Sequence, residues 1–434
     1  MIQSHVLVAT ILLSPAGPAR PIDTAAAGRY FAEAERLSAR DSGWFWGVPL
    51  YGPMMFVDPS TRQAVANQAD REGKLTPDGN VFVGTIPASV PVSNTAVKWS
   101  GLKWTMILWP LPEDEHDRAA LMMHECFHRI QDKLGVPMSS PPNDHLDSLR
   151  GRYLLQLEWR ALAAALRATT NDRAPAVADA LAFRGARHDE FPDRKANELA
   201  LELNEGLAEY SGGRLSGRSA TEHRWWLIRK LDQAPKLPTF VRSFAYVSGP
   251  AYGALLDERD PDWRKELSSS GDLGDLVARA WDVPTTADGE TDIEARAARY
   301  DGDTLLRAET ERDNERQKRL GRFRVAFLTA PVLHIPLRNA RTSFNPDELI
   351  PLDDVGTVYP TLTLSDSWGV LTVTGGPGAL LYNDWSAARV TAPTTTDPPH
   401  ITGQGWTLDL AEGWHLERPE GVGTWTIRQK HTTP

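Results

Sequence analysis

The hydrophobic pattern of this chain changes period near residue 320, and that change limits what it can fold into. From Asp117 to about Leu320 the apolar residues recur at helical spacing, whereas beyond Gly321 stretches such as TVYPTLTL, WGVLTVTG and GTWTIRQ alternate at period two. The first pattern buries one stripe of a helix, and the second buries one face of a sheet. The chain therefore predicts an α+β protein in which residues 321–434 form a separate β-sandwich-like domain. At 434 residues it is also longer than a single core usually supports.

Ahead of the helical stretch, the residues from Ala25 to about Ala39 have helical spacing, with Phe31 and Leu37 on one side. Residues 44–57 and 81–109 are rich in Trp, Val, Phe and Thr and broken by Gly, Pro and Asn, which predicts several short strands. An αβ part thus extends to about residue 113. A strand over Thr105–Trp109 leads to a helix opening near Asp114–Asp117, where acidic side chains suit the positive helix end. Further helices are expected over 154–166, 197–213 and 302–320. The last is so densely charged that it predicts a solvated surface helix. Residues 20–320 are expected to form one domain.

The formal net charge of −10 argues against a nucleic-acid partner, since such proteins need a basic surface to displace counterions from phosphates. The one cysteine, Cys126, excludes an intramolecular disulfide and a cysteine-rich zinc ribbon, so any metal must be held by His and carboxylate. An apolar run, Val6–Leu13, is followed by small residues and Pro, which predicts a signal peptide over 1–19 and a secreted or periplasmic protein. No Lys or Arg precedes that run. No other stretch approaches the roughly 20 apolar residues needed to cross a bilayer, so no transmembrane segment is expected in the mature protein.

The chemistry concentrates in LMMHECFHRIQDKL, residues 121–134, which contains no Pro or Gly. Four helical residues advance about 400°, so His124 and His128 lie roughly 40° apart and one turn from each other. Two imidazole nitrogens can then converge on one ion, and zinc prefers such ligands, usually with a third protein ligand and an open position for water. Glu125 follows the first of these histidines. A second helix carries Asn204-Glu205-Gly206-Leu207-Ala208-Glu209, with two carboxylates at i and i+4 on one face. Cys126 is offset from both histidines and is expected to pack as a small hydrophobe.

Together these motifs resemble the gluzincin metallopeptidases, in which HExxH is followed by a downstream helix whose glutamate is the third zinc ligand. The resemblance implies a zinc ion held by His124, His128 and Glu205, with Glu125 as general base. It also implies that Glu209 orients a ligand histidine. The separation of His128 from Glu205, 205 − 128 = 77 residues, is longer than in either the thermolysin or the aminopeptidase N group. Metzincins would place Gly and His where Gln131 and Leu134 stand, and no His-x-x-Glu-His occurs.

The segment from Tyr246 to Gly249 resembles the Tyr-x-Lys-Gly element of the aminopeptidase N group, which implies that Tyr246 donates to the tetrahedral oxyanion. Ser248 replaces the usual lysine there. Tyr252 and His223 are substitutes for the same role. The Gly-x-Met-Glu-Asn segment that captures a free amino terminus in that group is absent. The expected function is therefore zinc-dependent hydrolysis of peptide bonds in a peptide or protein substrate. The alternatives are hydrolysis of a non-peptide bond by the same site, or a non-catalytic secreted binding protein on a metallopeptidase scaffold.

Overall fold

The computed structural model describes residues 21–169, 172–285, 289–344, 349–352, 355–419 and 423–429. The expected signal peptide over 1–19 lies outside them. Contacts divide the chain into two compact units, Met1–Glu309 and Thr310–Pro434.

The first unit begins with α1 (Thr24–Asp41), started by the Asp23 side chain, which accepts hydrogen bonds from the backbone of Ala25 and Ala26. Six strands follow: β1 (Met54–Val57), β2 (Gln63–Ala66), β3 (Thr76–Asp78), β4 (Val81–Thr85), β5 (Thr95–Trp99) and β6 (Leu102–Leu108). They form one sheet in the order β3-β4-β2-β1-β6-β5, with β1 and β6 parallel and the other pairs antiparallel. Residues 44–53, expected to contribute to strands, are turns and irregular chain. The centre of the sheet is covered on both faces. Met54, Phe56 and Ile107 join the main helical core, while Met55, Val57, Trp104 and Met106 pack in a second cluster behind it. That two-sided burial explains why β1 is apolar throughout.

Helices supply the remainder of this unit: α2 (Glu115–Ile130), α3 (Leu149–Arg167), α4 (Ala174–Glu190), α5 (Lys195–Leu201), α6 (Leu207–Leu215), α7 (Ala220–Gln233), α8 (Ala245–Arg259), α9 (Trp263–Ser270), α10 (Leu273–Trp281) and α11 (Glu290–Ala298). The helix expected over 197–213 is interrupted, because a π-helical turn, Glu202–Gly206, joins α5 to α6. Among the described residues no helix is long and apolar enough to cross a membrane.

The second unit contains two sheets. In spatial order the seven-stranded one runs Trp414–Glu417, Trp425–Gln429, Val332–Pro336, Ala387–Thr391, Ala379–Tyr382, Gly356–Tyr359 and Ile350–Leu352. The six-stranded one runs Pro393–Thr395, His400–Gly403, Trp406–Leu410, Gly369–Val373, Leu362–Asp366 and Arg341–Phe344. Leu333, Ile335, Leu381 and Val390 from the first share a core with Leu364, Leu371, Trp406 and Leu408 from the second.

The boundary differs from the one expected at 320/321. Helix α12 (Gly302–Arg324) straddles it, and a π-helical turn, Val325–Thr329, extends that helix. Early in α12, Glu309 is buried and accepts from Arg152 and Gln156 of the first unit. Late in the same path, Leu320, Phe323 and Phe327 pack on Leu352, Val358 and Leu380 of the second. The helix expected to be only a solvated surface element therefore contributes to a core, through three apolar residues spaced three and four apart.

Candidate metal centre

Helix α2 starts where the sequence places its acidic cap: the Asp114 side chain accepts from the backbone N–H of Asp117 at 2.9 Å. Its inner face is buried along its whole second half, so His124, Glu125 and His128 all lie below one tenth exposure. Cys126 is buried on the same helix with Thr105 as its polar neighbour, and burial pushes its thiol up to about 12, which leaves it an uncharged packing residue.

The carboxylate that joins the two histidines reaches this helix through a close crossing. A Cβ on Gly249 of α8 would sit 2.5 Å from the Cα of Gly206, so only a pair of glycines lets α8 approach the π-helical turn this tightly. That crossing delivers Tyr246. The turn itself sets the direction of the acidic side chains. In an uninterrupted helix Glu198, Glu202, Glu205 and Glu209 would share one stripe, since they recur at i, i+4, i+7 and i+11. The extra residue of a π turn rotates everything beyond it by about 100°. Glu198 and Glu202 accordingly face Arg187 and Arg184, while Glu205 and Glu209 face the histidines of α2.

Three ligand atoms converge. His124 Nε2 and His128 Nε2 are 3.2 Å apart, and Glu205 Oε2 lies 3.5 Å from each. Two donors bound at 2.0–2.1 Å in a tetrahedral arrangement would sit about 3.3–3.4 Å from one another. The observed separations match that spacing, so the donor set fits zinc.

The outer ring nitrogens show which atoms face inward. His124 Nδ1 is 3.0 Å from Glu209 Oε2, and an ionised carboxylate can only accept, so Nδ1 carries the hydrogen. His128 Nδ1 is 2.8 Å from Gln131 Oε1. The amide nitrogen of Gln131 donates to Pro137 O and Asn204 Oδ1, which leaves its oxygen to accept from His128. Asn204 Nδ2 in turn donates to Glu205 Oε1 at 3.2 Å, so two amides strap His128 to Glu205. Both Nε2 atoms then face the Glu205 oxygen, and either a proton or a cation must lie between atoms held this close.

Charge balance reflects this. Burial disfavours a charged His124, yet the Glu205 and Glu209 carboxylates outweigh it and push its pKa up to about 10. A metal ion must therefore displace a proton to bind there. Glu205 is held well below the usual carboxylate range: burial opposes this, but hydrogen bonds from His124 and His128 prevail. Glu209 is lowered to about 2 against burial, chiefly by Lys230, which donates to its Oε1. Glu125 behaves oppositely. It is 3% exposed, its Oε2 has no hydrogen-bond partner among the described residues, and burial raises its pKa despite the two histidines beside it. A carboxylate so placed is a strong proton acceptor.

Tyr246 reaches the cluster. Its hydroxyl donates to Glu205 Oε2 at 2.6 Å and its ring stacks on His124 with centroids 5.7 Å apart. Burial and the Glu205 charge hold the phenol well above its ordinary pKa, so it is a neutral donor. The two substitutes do not join it. Tyr252 is fully buried and donates to Glu158 at 2.7 Å, and His223 stacks on Trp226 in α7.

Gln131, Asn204, Lys230 and Arg242 belong to the site without having been singled out. Gln131 sits one helical turn beyond His128, and Asn204 precedes the ligand glutamate, so both were adjacent to recognised motifs. Lys230, and Arg242 at 3.5 Å from Glu205 Oε1, carry no local signal. No protein-family model, curated protein or solved structure matches this chain, so its chemistry is read from this geometry.

Proposed function

We propose that the protein is a zinc-dependent hydrolase, a metallopeptidase acting on a peptide or protein substrate. On this reading the first unit is a gluzincin-like catalytic domain and the two stacked sheets of the second form a sandwich-like companion. The observation that carries it is the convergence of His124, His128 and Glu205 at tetrahedral spacing beside a buried glutamate, Glu125, whose Oε2 has no hydrogen-bond partner among the described residues.

His124, His128 and Glu205 would hold the zinc, which when bound would supply a Lewis acid to polarise a carbonyl and bring the pKa of water toward about 7. Glu125 takes a proton from the attacking water on its carboxylate oxygen and later passes it to the nitrogen of the leaving amine. Tyr246 turns its O–H from Glu205 to the oxygen of the scissile carbonyl as negative charge develops there. Glu209 and Gln131 keep the Nδ1–H atoms of His124 and His128 pointing outward, which holds each Nε2 in its ligating tautomer.

Metal analysis of the purified chain, paired with casein hydrolysis before and after chelation, tests the reading. One zinc per chain and chelator-sensitive cleavage are expected, with zinc lost in His124→Ala, His128→Ala and Glu205→Ala. Full zinc in all three variants would sink the site. A zinc-loaded protein that cleaves no peptide or protein substrate would sink the peptidase reading while leaving the site standing.

A further inference from the structure

A second site lies away from the metal centre, across α6. Gly212 of that helix meets α2 at Ala120 and His124, while the next residue, Gly213, meets Trp226 and His223 of α7. Between the start of α7 and the end of α8 is a cavity of about 280 Å³. Its polar lining is Arg173, Arg214, His223, Arg224, Asp257 and Glu258, and Leu166, Leu227 and Ala254 supply apolar wall.

Both carboxylates already face cations. Glu258 accepts from Arg173, which also donates to Ala168 O, and Asp257 accepts through Oδ1 from Tyr210, Trp263 and Arg264, with Arg214 Nε 2.9 Å from its Oδ2 as an ion pair. The surplus is basic. Arg214 engages Asp257 through Nε, which leaves the ends of its guanidinium uncommitted among the described residues. Arg224 is exposed and makes no ion pair among them. His223 is 6% exposed, and its Nε2, packed toward Gly213, has no hydrogen-bond partner among the described residues. Burial, followed by the charge of Arg214, holds its pKa down at about 4, so at neutral pH it is an uncharged ring with one N–H to give.

We infer that this cavity binds a small organic anion, a carboxylate on a short apolar body, with Arg214, Arg224 and His223 receiving the carboxylate and the Leu166 and Leu227 wall receiving the body. The volume equals that of roughly nine water-sized groups at about 30 Å³ each, which is the size of an aromatic or short aliphatic acid. An isolated inorganic ion would leave the apolar wall uncovered. A guanidinium presents paired donors that suit a carboxylate, and such charge-assisted bonds are about twice as strong as neutral ones. This inference does not depend on the hydrolase reading.

Calorimetric titration of the full chain with benzoate, with benzamide as a neutral probe of the same shape, tests it. Benzoate should bind once per chain, benzamide at least tenfold more weakly, and Arg224→Gln should weaken benzoate at least tenfold. Because Arg224 is exposed, that variant should keep its melting temperature. Binding should persist in His124→Ala, which separates this cavity from carboxylate capture at the metal. Equal binding of benzoate and benzamide, loss of binding in His124→Ala, no effect of Arg224→Gln, or tighter binding of inorganic phosphate than of benzoate would each overturn the inference.

Discussion

Two buried acidic clusters lie on one stretch of chain, three residues apart, and they are built on opposite principles. On the α5 side Glu198 and Glu202 meet guanidiniums: Arg184 bonds Glu202 at 2.7 Å, Arg187 bonds Glu198 at 2.9 Å, and both approach Glu158. His145 and Tyr252 fill further carboxylate positions, at 2.7 Å each. On the α6 side Glu205 faces two imidazole nitrogens whose other ends are occupied. Arginine closes a cluster, because its five donors point outward into every acceptor and leave no converging lone pairs. Histidine with an outer partner opens one, because its inner nitrogen aims a lone pair inward once a metal displaces the proton there. Residue type alone does not distinguish the two sites, since both contain Glu and His; the identity of the countercharge does.

The comparison breaks most clearly at Glu125. Its replacement by Gln removes the proton acceptor but none of the three ligands, so zinc content should stay at one per chain while casein hydrolysis disappears. Undiminished turnover in that variant would falsify the assignment of Glu125.

Arg187→Met should do the converse. It leaves Glu158 and Glu198 buried without their guanidinium, a change that typically costs about 3–5 kcal/mol. Denaturant unfolding should show that loss, and the fraction that remains folded should bind zinc at the same stoichiometry. A variant as stable as the parent would mean that the α5 cluster is not held by this arginine.

Tyr246→Phe sharpens the contrast within the metal centre. Removal of a donor engaged mainly in the transition state should lower kcat by about 10²–10³ with little change in KM and unchanged zinc content. If the tyrosine only packs against His124, the melting temperature falls instead and kcat is nearly constant, since only a hydrogen bond of about 1 kcal/mol is lost.

The smallest effect belongs to Glu209→Gln. Lys230 can still reach the amide oxygen, but the orientation of His124 loses its carboxylate, and zinc affinity should fall roughly 10–100-fold. Competition against a chromogenic chelator reads that change directly, and an unchanged affinity would make the Glu209 contact to His124 incidental.

Much of the candidate site was legible because it is local. A rotation of about 100° per residue puts His124 and His128 on one face whatever surrounds the helix, and the acidic run before it marks its start. The same rule, applied to the second helix, put Glu205 and Glu209 on one face but gave no warning that Glu198 and Glu202 would turn elsewhere. A π turn has no strong sequence signature, and one inserted residue is enough to redirect half a stripe. The C-terminal sheets were legible from period-two alternation, whereas the start of their unit was not, because α12 is charged along most of its length and becomes apolar on one side only near its end.

The sequence by itself determined which atoms could ligate a metal: two histidines at i and i+4, and carboxylates in place of cysteines. Tertiary structure alone decided that they meet. Bringing Glu205 to a helix 77 residues upstream depends on the glycine-to-glycine crossing of α8 with the π turn, and fixing His128 depends on the Gln131–Asn204 bridge. Hydrogen bonds within a helix act over four residues and specify its faces, but they carry no information about which other helix will be packed against each face.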